Sequence, residues 1–266
     1  MDFNAENLNA ALSGKAIGSP LYFSPSADST NLLAFKLAGE GAPEGTVIIA
    51  DHQTCGRGRM QRVWQSPPAV NLYTSLILRP ALAAALSSPL TVMAGVAVAE
   101  LLNGYCPQRV RLKWPNDVLI NDKKVSGILT EMKTAGHKVE FVIVGIGINI
   151  NMQKNDFPPP LEEIATSLRI EMGKTIDRVG LTVKLFEIMA DLYQLFLKEG
   201  IKPIRELWLS SSQLMERCVG VTFGEEVYQG MVTGMDDAGA LIIRDGNGEQ
   251  RRVIAGDVKL IEGYRG

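Results

Sequence analysis

The sequence predicts an α+β fold of two parts, a larger N-terminal domain of residues 1–215 and a small C-terminal β-barrel of residues 216–266. Two observations predict the first part, namely short strands with period-two alternation and long apolar helical segments. One observation predicts the second. From Val219 onward, five short alternating segments follow one another, separated by turns rich in glycine and aspartate, among them Gly224. Such closely spaced strands are typical of a small barrel.

The N-terminal segments predict a helix, a strand and a second helix in that order. Residues 2–13 have the pattern of a short amphipathic helix, and a strand begins at 21–23. Residues 28–31 read Asp-Ser-Thr-Asn and predict the next helix start, because short polar side chains cap free backbone N–H groups. Residues 46–50 then predict a buried strand.

A long segment between residues 51 and 68 has almost no apolar side chains. It contains Gly56, Arg57, Gly58, Arg59 and Arg62. Long irregular connections inside a compact domain are usually functional or disordered. Three guanidinium groups here suit carboxylate and phosphate oxygens, while the glycines permit close approach of the backbone to a ligand. We expect this loop to order around such a ligand, and a mobile basic surface loop is the alternative.

The middle of the chain predicts a hairpin. Apolar and charged residues alternate over 110–113, Pro115-Asn116 interrupts the strand, and the pattern resumes over 118–120. Asn121-Asp122 supplies the turn, so Lys124 begins the second strand and its ammonium is held on rigid backbone. The competing interpretation is that the lysines around this turn are ordinary solvated charges.

An interior strand is predicted over Val139–Asn149. Its two glycines, Gly145 and Gly147, weaken a strand and commonly mark the close approach of a ligand or of another backbone. This segment alone supports ligand contact and tight strand packing equally. The other predicted elements are an alternating strand over 71–78, a buried helix over 89–102, a rigid loop over 157–160, and helices over 161–168, 181–197 and 203–212.

Composition excludes several classes of protein. The formal net charge is -2, so the chain lacks the overall positive charge that is typical of nucleic-acid-binding proteins. Cys55, Cys106 and Cys218 are widely spaced without a CxxC pair, so we expect reduced thiols. No secretory signal and no apolar run of bilayer length is evident. The expectation is a cytoplasmic enzyme without a membrane or nucleic-acid partner, and too few residues precede Leu21 for an N-terminal DNA-binding domain.

Four motifs carry a resemblance to a known family. They are QTCGRGR at 53–59, KWPND at 113–117, KVSGIL at 124–129 and GIGIN at 145–149. In this order they resemble the biotin protein ligases, and the match covers nearly the whole chain. The resemblance implies a mixed-sheet catalytic domain with an SH3-like C-terminal barrel. It also implies ATP-dependent ligation of biotin to a specific lysine of a biotin carboxyl carrier protein, through a biotinyl-5′-adenylate intermediate.

The resemblance also implies roles for particular residues. Lys124 is expected to stabilise charge on the α-phosphoryl group, Arg59 to clamp carboxylate and phosphate, and Asp117 to accept the proton of the carrier lysine. Expected substrate-binding residues are Ser29, Thr30, Asn31, Gln53, Gly56, Arg57, Gly58, Arg59, Trp64, Lys124 and Gly127. Expected nucleotide-binding residues are Lys113, Asn116, Gly145, Gly147 and Asn149. Mg²⁺ is expected to arrive with ATP, without a protein metal site.

One departure and several alternatives remain open. Gln61 stands where the family usually has glycine, which puts the closed form of the loop in question. Lipoate or octanoate ligation is the nearest alternative activity, since those enzymes share the fold and the adenylate chemistry. A bifunctional repressor and a catalytically silent biotin-binding regulator are the others. The resemblance leaves the carrier protein unidentified and allows a homodimer.

Overall fold

The computed structural model describes residues 1–83, 89–223 and 226–261. The helices are α1 (Ala5–Leu12), α2 (Thr30–Gly39), α3 (Pro89–Asn103), α4 (Leu161–Ile164), α5 (Leu168–Met172), α6 (Arg178–Glu199) and α7 (Ile201–Ser212). The strands are β1 (Leu21–Ser24), β2 (Val47–Ala50), β3 (Leu72–Leu78), β4 (Val110–Lys113), β5 (Asp117–Ile120), β6 (Lys123–Ala135), β7 (Lys138–Ile148), β8 (Cys218–Phe223), β9 (Glu226–Met235), β10 (Leu241–Arg244), β11 (Gln250–Val253) and β12 (Asp257–Leu260). None of the helices in these described ranges is long and apolar enough to cross a membrane.

The first seven strands form one sheet in the order β1-β2-β3-β7-β6-β5-β4. Strand β1 runs parallel to β2, and the other neighbours are antiparallel, so the sheet is mixed as predicted. Strands β8 to β12 form a separate antiparallel sheet in the order β11-β10-β9-β8-β12. The predicted α+β class and the five C-terminal strands are confirmed, while the predicted separator Gly224 lies outside the described residues.

Side-chain alternation gives the seven-stranded sheet two different faces. One face packs against α3, α6 and α7, and residues such as Leu76, Val144 and Ile146 belong to that large apolar cluster. On the opposite face, Ile77 and Phe141 lie in a smaller cluster with α2. Because α2 covers only part of this second face, the rest of it is available for a binding site.

The predicted strand over 71–78 is present as β3, and it is buried along its whole length because both of its faces are covered. Two details of the predicted elements are wrong. The single helix predicted over 161–168 is two short helices, α4 and α5, separated by residues 165–167. The segment Trp114–Asn116 does not interrupt one strand. It reverses the chain, because β4 and β5 pair antiparallel with Lys113 opposite Asp117.

The two sheets are in contact through Trp114. Its side chain is buried, and its indole N–H donates to the carbonyl of Gly239 at 3.1 Å. Arg205 of α7 likewise donates to the carbonyl of Met235. These contacts join the C-terminal sheet to the rest of the protein, and the division after residue 215 stays a prediction.

Candidate active site

A cavity of about 480 Å³ opens on the second face of the seven-stranded sheet. All but one of the predicted site residues line it, the exception being Gly56. The predicted residues that line the cavity are Ser29, Thr30, Asn31, Gln53, Arg57, Gly58, Arg59, Trp64, Lys113, Asn116, Asp117, Lys124, Gly127, Gly145, Gly147 and Asn149. Gly56 lies beside it, and a Cβ there would meet the carbonyl oxygen of Trp64 at 2.3 Å.

Strand register explains why distant motifs meet in this cavity. One row of paired residues crosses five adjacent strands and consists of Tyr73, Gly147, Gly127, Asp117 and Lys113. Paired residues of antiparallel strands place their side chains on the same face. The KWPND, KVSGIL and GIGIN motifs therefore contribute to a single line across the floor of the cavity.

An irregularity in the pairing of β5 with β6 sets the position of Lys124. Val118 pairs with Ser126, but the next residue, Leu119, pairs with Lys124, so Val125 is an extra residue in β6. Lys124 and Gly127 are three positions apart, and simple alternation would place them on opposite faces. The β-bulge restores Lys124 to the cavity face. The sequence correctly predicted that Lys124 lies at the start of the second strand, but it did not predict the β-bulge.

The Lys124 ammonium is fixed by two groups. Its Nζ lies 2.6 Å from Oδ1 of Asp117 and 5.4 Å from the centre of the Trp64 ring. Both contacts hold the ammonium in place, since a carboxylate and an aromatic face each attract a cation. The side chain is one-third exposed, so the charge is accessible from the cavity.

Trp64 lies directly on the glycine row. A Cβ at Gly147 would come within 2.6 Å of its indole Nε1, and a Cβ at Gly127 within 3.1 Å of its Cζ3. The indole Nε1 is buried and has no hydrogen-bond partner within the part of the chain that the structure describes. The predicted close approach at Gly147 is therefore made by an aromatic side chain of the same protein, and nucleotide contact at this glycine stays a prediction.

The Asn31 side chain lies over the next row of paired residues, which consists of Ser75, Gly145 and Leu129. Its Oδ1 accepts a hydrogen bond from Ser75 Oγ at 2.7 Å, and its Nδ2 donates to the carbonyl of Leu129 at 3.1 Å. A Cβ at Gly145 would come within 2.0 Å of Asn31 Oδ1, so only glycine leaves room for this amide. Both strand glycines thus accommodate side chains that cross the sheet.

Gln53 joins the start of α2 to the loop. Its Oε1 accepts from the backbone N–H of Thr30 at 2.9 Å, and its Nε2 donates to Ser66 Oγ at 2.9 Å. Ser29 occupies the N-cap position, but its side chain makes no capping hydrogen bond. The predicted helix-capping role is therefore wrong for Ser29, and Gln53 satisfies the N–H group of Thr30 instead.

The three arginines of the loop bind different acceptors. Arg57 pairs with Glu131 at 3.2 Å, Arg59 Nη1 donates to Asn116 Oδ1 at 3.1 Å, and Arg62 pairs with Asp257 at 2.7 Å. Burial lowers the pKa of Arg59, and the nearby Asp117 opposes this change. The hydrogen bond with Asp257 raises the pKa of Arg62 and holds the pKa of Asp257 below its ordinary value.

The backbone of the loop has an unusual conformation at residues 60 and 61. Met60 and Gln61 have φ values of 52° and 59°, in the left-handed region that glycine tolerates best. Gln61 adopts the left-handed conformation without the freedom of a glycine.

Asn149 is less available than predicted. Although it lines the cavity, its Nδ2 donates to the carbonyl of Thr166 at 3.1 Å, so part of its amide supports the segment before α5. Among the residues that sequence reasoning missed are Asp257, which lines the cavity, and Ser66, Ser75 and Glu131, which contact residues that line it. No local signal marks these four, because only register and chain packing bring them to this part of the protein.

Comparisons with known proteins agree with this arrangement. The model of the biotin/lipoate A/B protein ligase family matches residues 23–149, and the model of the biotin protein ligase C terminal domain matches residues 216–260. Bifunctional ligase/repressor BirA of Bacillus subtilis is 39% identical over 254 residues, which cover 94% of this chain and 76% of that protein. Biotin--[acetyl-CoA-carboxylase] ligase of Paracoccus denitrificans is 34% identical, covering 84% and 93% respectively.

A solved structure supports the same assignment. The biotin protein ligase from Aquifex aeolicus in complex with biotin and ATP has a TM-score of 0.76 at 30% identity, covering 91% of this chain and 98% of that one. Fold and site together define an enzyme of the biotin and lipoate ligase type. Within that type, the chain belongs to the biotin protein ligase family.

Proposed function

We propose that this enzyme attaches biotin to a lysine of a biotin carboxyl carrier protein, using ATP and passing through biotinyl-5′-adenylate. The observation that carries the proposal is the row across the cavity floor, where Asp117, Gly127 and Gly147 lie side by side and Lys124 joins them through the bulge. The row thus includes a fixed cation on the cavity floor, which supports a reaction between two anions.

The first half-reaction joins two negatively charged groups. A carboxylate oxygen of biotin attacks the α-phosphorus of MgATP, and the bond to the pyrophosphate oxygen breaks. Charge on the α-phosphoryl oxygens is stabilised by donors that are already in place. Lys124 is the proposed donor, because Asp117 and Trp64 fix its ammonium. Arg59 is the proposed clamp, and its position depends on Asn116.

The second half-reaction transfers biotin to the carrier. The amine of the carrier lysine attacks the carbonyl carbon of the mixed anhydride, AMP departs, and the amine loses a proton. Asp117 is the proposed acceptor of that proton, since it is the carboxylate beside Lys124 on the cavity floor. Trp64 and the loop are proposed to keep water away from the adenylate, which otherwise hydrolyses.

Biotin recognition is proposed for the polar groups at the start of α2. Thr30, Asn31 and Gln53 are buried, and they line one wall of the cavity. Their hydroxyl and amide groups suit the ureido ring. Lys113 and Asn116, on the β4 to β5 side, are proposed to contact the nucleotide.

Magnesium is proposed as part of the MgATP substrate, held by the triphosphate. The described carboxylates that line the cavity are each already paired with a cation, Asp117 with Lys124, Asp122 with Arg111 and Asp257 with Arg62, so the residues present suit an incoming metal–phosphate complex better than a bare ion. A homodimer and a cytoplasmic location are further proposals, on the basis of the family resemblance and the composition.

Titration and turnover together test the proposed function. Isothermal titration with biotin, lipoate and ATP identifies the ligand, and pyrophosphate release measures adenylation. Mass measurement of a carrier domain should then show one added biotinyl group. Pyrophosphate release with lipoate but not with biotin would assign the chain to the alternative activity, and biotin binding without release would identify a silent binding protein.

A further inference from the structure

Both hydrogens of the Asn31 side-chain amide are used within the protein. Its Nδ2 donates to the carbonyl of Leu129 at 3.1 Å and to Oε2 of Glu131 at 2.8 Å. Asn31 is almost completely buried, at 4% exposure. A primary amide has two donor hydrogens and an oxygen with two lone pairs. Asn31 therefore has no hydrogen left for a ligand.

The oxygen of Asn31 retains one acceptor position. Ser75 Oγ donates to Oδ1 at 2.7 Å, which occupies one of its two lone pairs. The oxygen lies over Gly145, and both Asn31 and Gly145 line the cavity. Asn31 can therefore contact a ligand only as an acceptor, so its partner on the ligand must be an N–H or O–H group.

Glu131 fixes which way the amide points. In the flipped orientation, Oδ1 of Asn31 would face the carbonyl of Leu129 and the carboxylate of Glu131, and both of these groups are acceptors. A charge-assisted hydrogen bond to a carboxylate is about twice as strong as a neutral one. Glu131 also pairs with Arg57 at 3.2 Å, so this carboxylate contacts both Asn31 in α2 and the arginine-rich loop.

From these contacts we propose that Glu131 is a positioning residue for biotin recognition. It holds the Asn31 amide so that Oδ1 accepts a hydrogen bond from a ureido N–H group of biotin. This inference rests on the proposed function, because it assigns a role within the same cavity. Glu131 itself does not line the cavity, so it acts through Asn31.

The experiment compares two variants at Glu131 in the full chain. Glu131→Ala removes the acceptor for Asn31, and the KM for biotin should rise on the order of tenfold or more while the KM for ATP is unchanged. Glu131→Gln keeps a carbonyl that can accept from Asn31 Nδ2, so it should restore the KM for biotin to within about threefold of the wild-type value. Pyrophosphate release and thermal melting are measured for each protein.

The matched control is Glu140→Gln. Glu140 lies on β7 and pairs with Lys133 at 3.1 Å, away from the cavity. This variant should retain both wild-type KM values. An unchanged KM for biotin in Glu131→Ala would overturn the inference, and so would equal losses in the alanine and glutamine variants. A wild-type chain that releases no pyrophosphate with biotin and ATP would instead overturn the proposed function, and the inference with it.

Discussion

A graded series of glycine substitutions tests whether the position of Trp64 matters for adenylation. A Cβ at Gly147 would lie 2.6 Å from two atoms of the indole, at Gly127 the nearest ring atom is at 3.1 Å, and at Gly234 nothing lies within 4 Å. Ordinary carbon contacts lie at about 3.5 to 4.0 Å. The indole must therefore retreat by about 1 Å in Gly147→Ala and by about 0.5 Å in Gly127→Ala.

The expected loss is mainly catalytic. Overpacking costs about 1 to 3 kcal/mol in a tightly packed core, but Trp64 is only partly buried and lies on a loop, so we expect a smaller loss of stability. A displacement of about 1 Å in a positioning group can cost about 10²-fold in rate. We expect kcat/KM for pyrophosphate release to fall on the order of 10- to 100-fold in Gly147→Ala and by less in Gly127→Ala.

The assay is pyrophosphate release at varied biotin and ATP, with the melting temperature measured alongside. Gly234→Ala, in strand β9, is the control for the general effect of alanine at a strand glycine. If Gly147→Ala and Gly234→Ala have the same kinetic constants, the contact between Trp64 and the glycine row has no part in catalysis.

Three further predictions concern charge and backbone. Lys124→Ala should slow pyrophosphate release by about 10²-fold without unfolding the protein, whereas Lys123→Ala, outside the cavity, should not; equal rates would remove Lys124 from the mechanism. Arg62 lowers the pKa of Asp257, so this pair stabilises the fold above the ordinary aspartate pKa, and the stabilisation is lost as pH falls through the lowered value. The melting temperature of Asp257→Asn should therefore be slightly below wild type near pH 7 and equal to it in strong acid, and a constant difference would contradict the assignment. Gln61→Gly should raise the free energy of unfolding by roughly 0.5 kcal/mol relative to Gln61→Ala in urea titrations, because a positive φ is unfavourable for alanine but not for glycine. A glycine variant less stable than the alanine variant would show that the positive φ at residue 61 costs no stability.

The sequence was sufficient for elements with a clear period. Alternation over 110–113 predicted strand β4, and the turn at Asn121-Asp122 is present with both residues at positive φ. The long loop and its arginines also lie where expected, at the cavity. These features depend on neighbouring residues along the chain, which sequence patterns describe well.

Features that depend on distant residues could not be predicted. Pro115-Asn116 is a signal for a break, but whether the chain reverses there depends on which strand pairs with β4. Gly145 and Gly147 signalled close approach, yet the neighbours, Asn31 and Trp64, are set by packing of α2 and the loop. No sequence pattern distinguishes Glu131 from other strand carboxylates, and the role proposed for it depends on its contact with Asn31.

The extra residue Val125 makes the cavity sensitive to the number of residues in the chain as well as to their identity. Removing one residue between Asp117 and Lys124 would leave a hairpin that still closes, but every following side chain of β6 would have to exchange faces or the bulge would disappear. A homologue one residue shorter here would therefore lose either the lysine or the glycine corresponding to Gly127 from the cavity face, whereas a change of two residues would keep both. A sequence alignment alone would not show this difference, because the lysine of an aligned Lys-Val-Ser-Gly segment can lie on the face opposite the cavity.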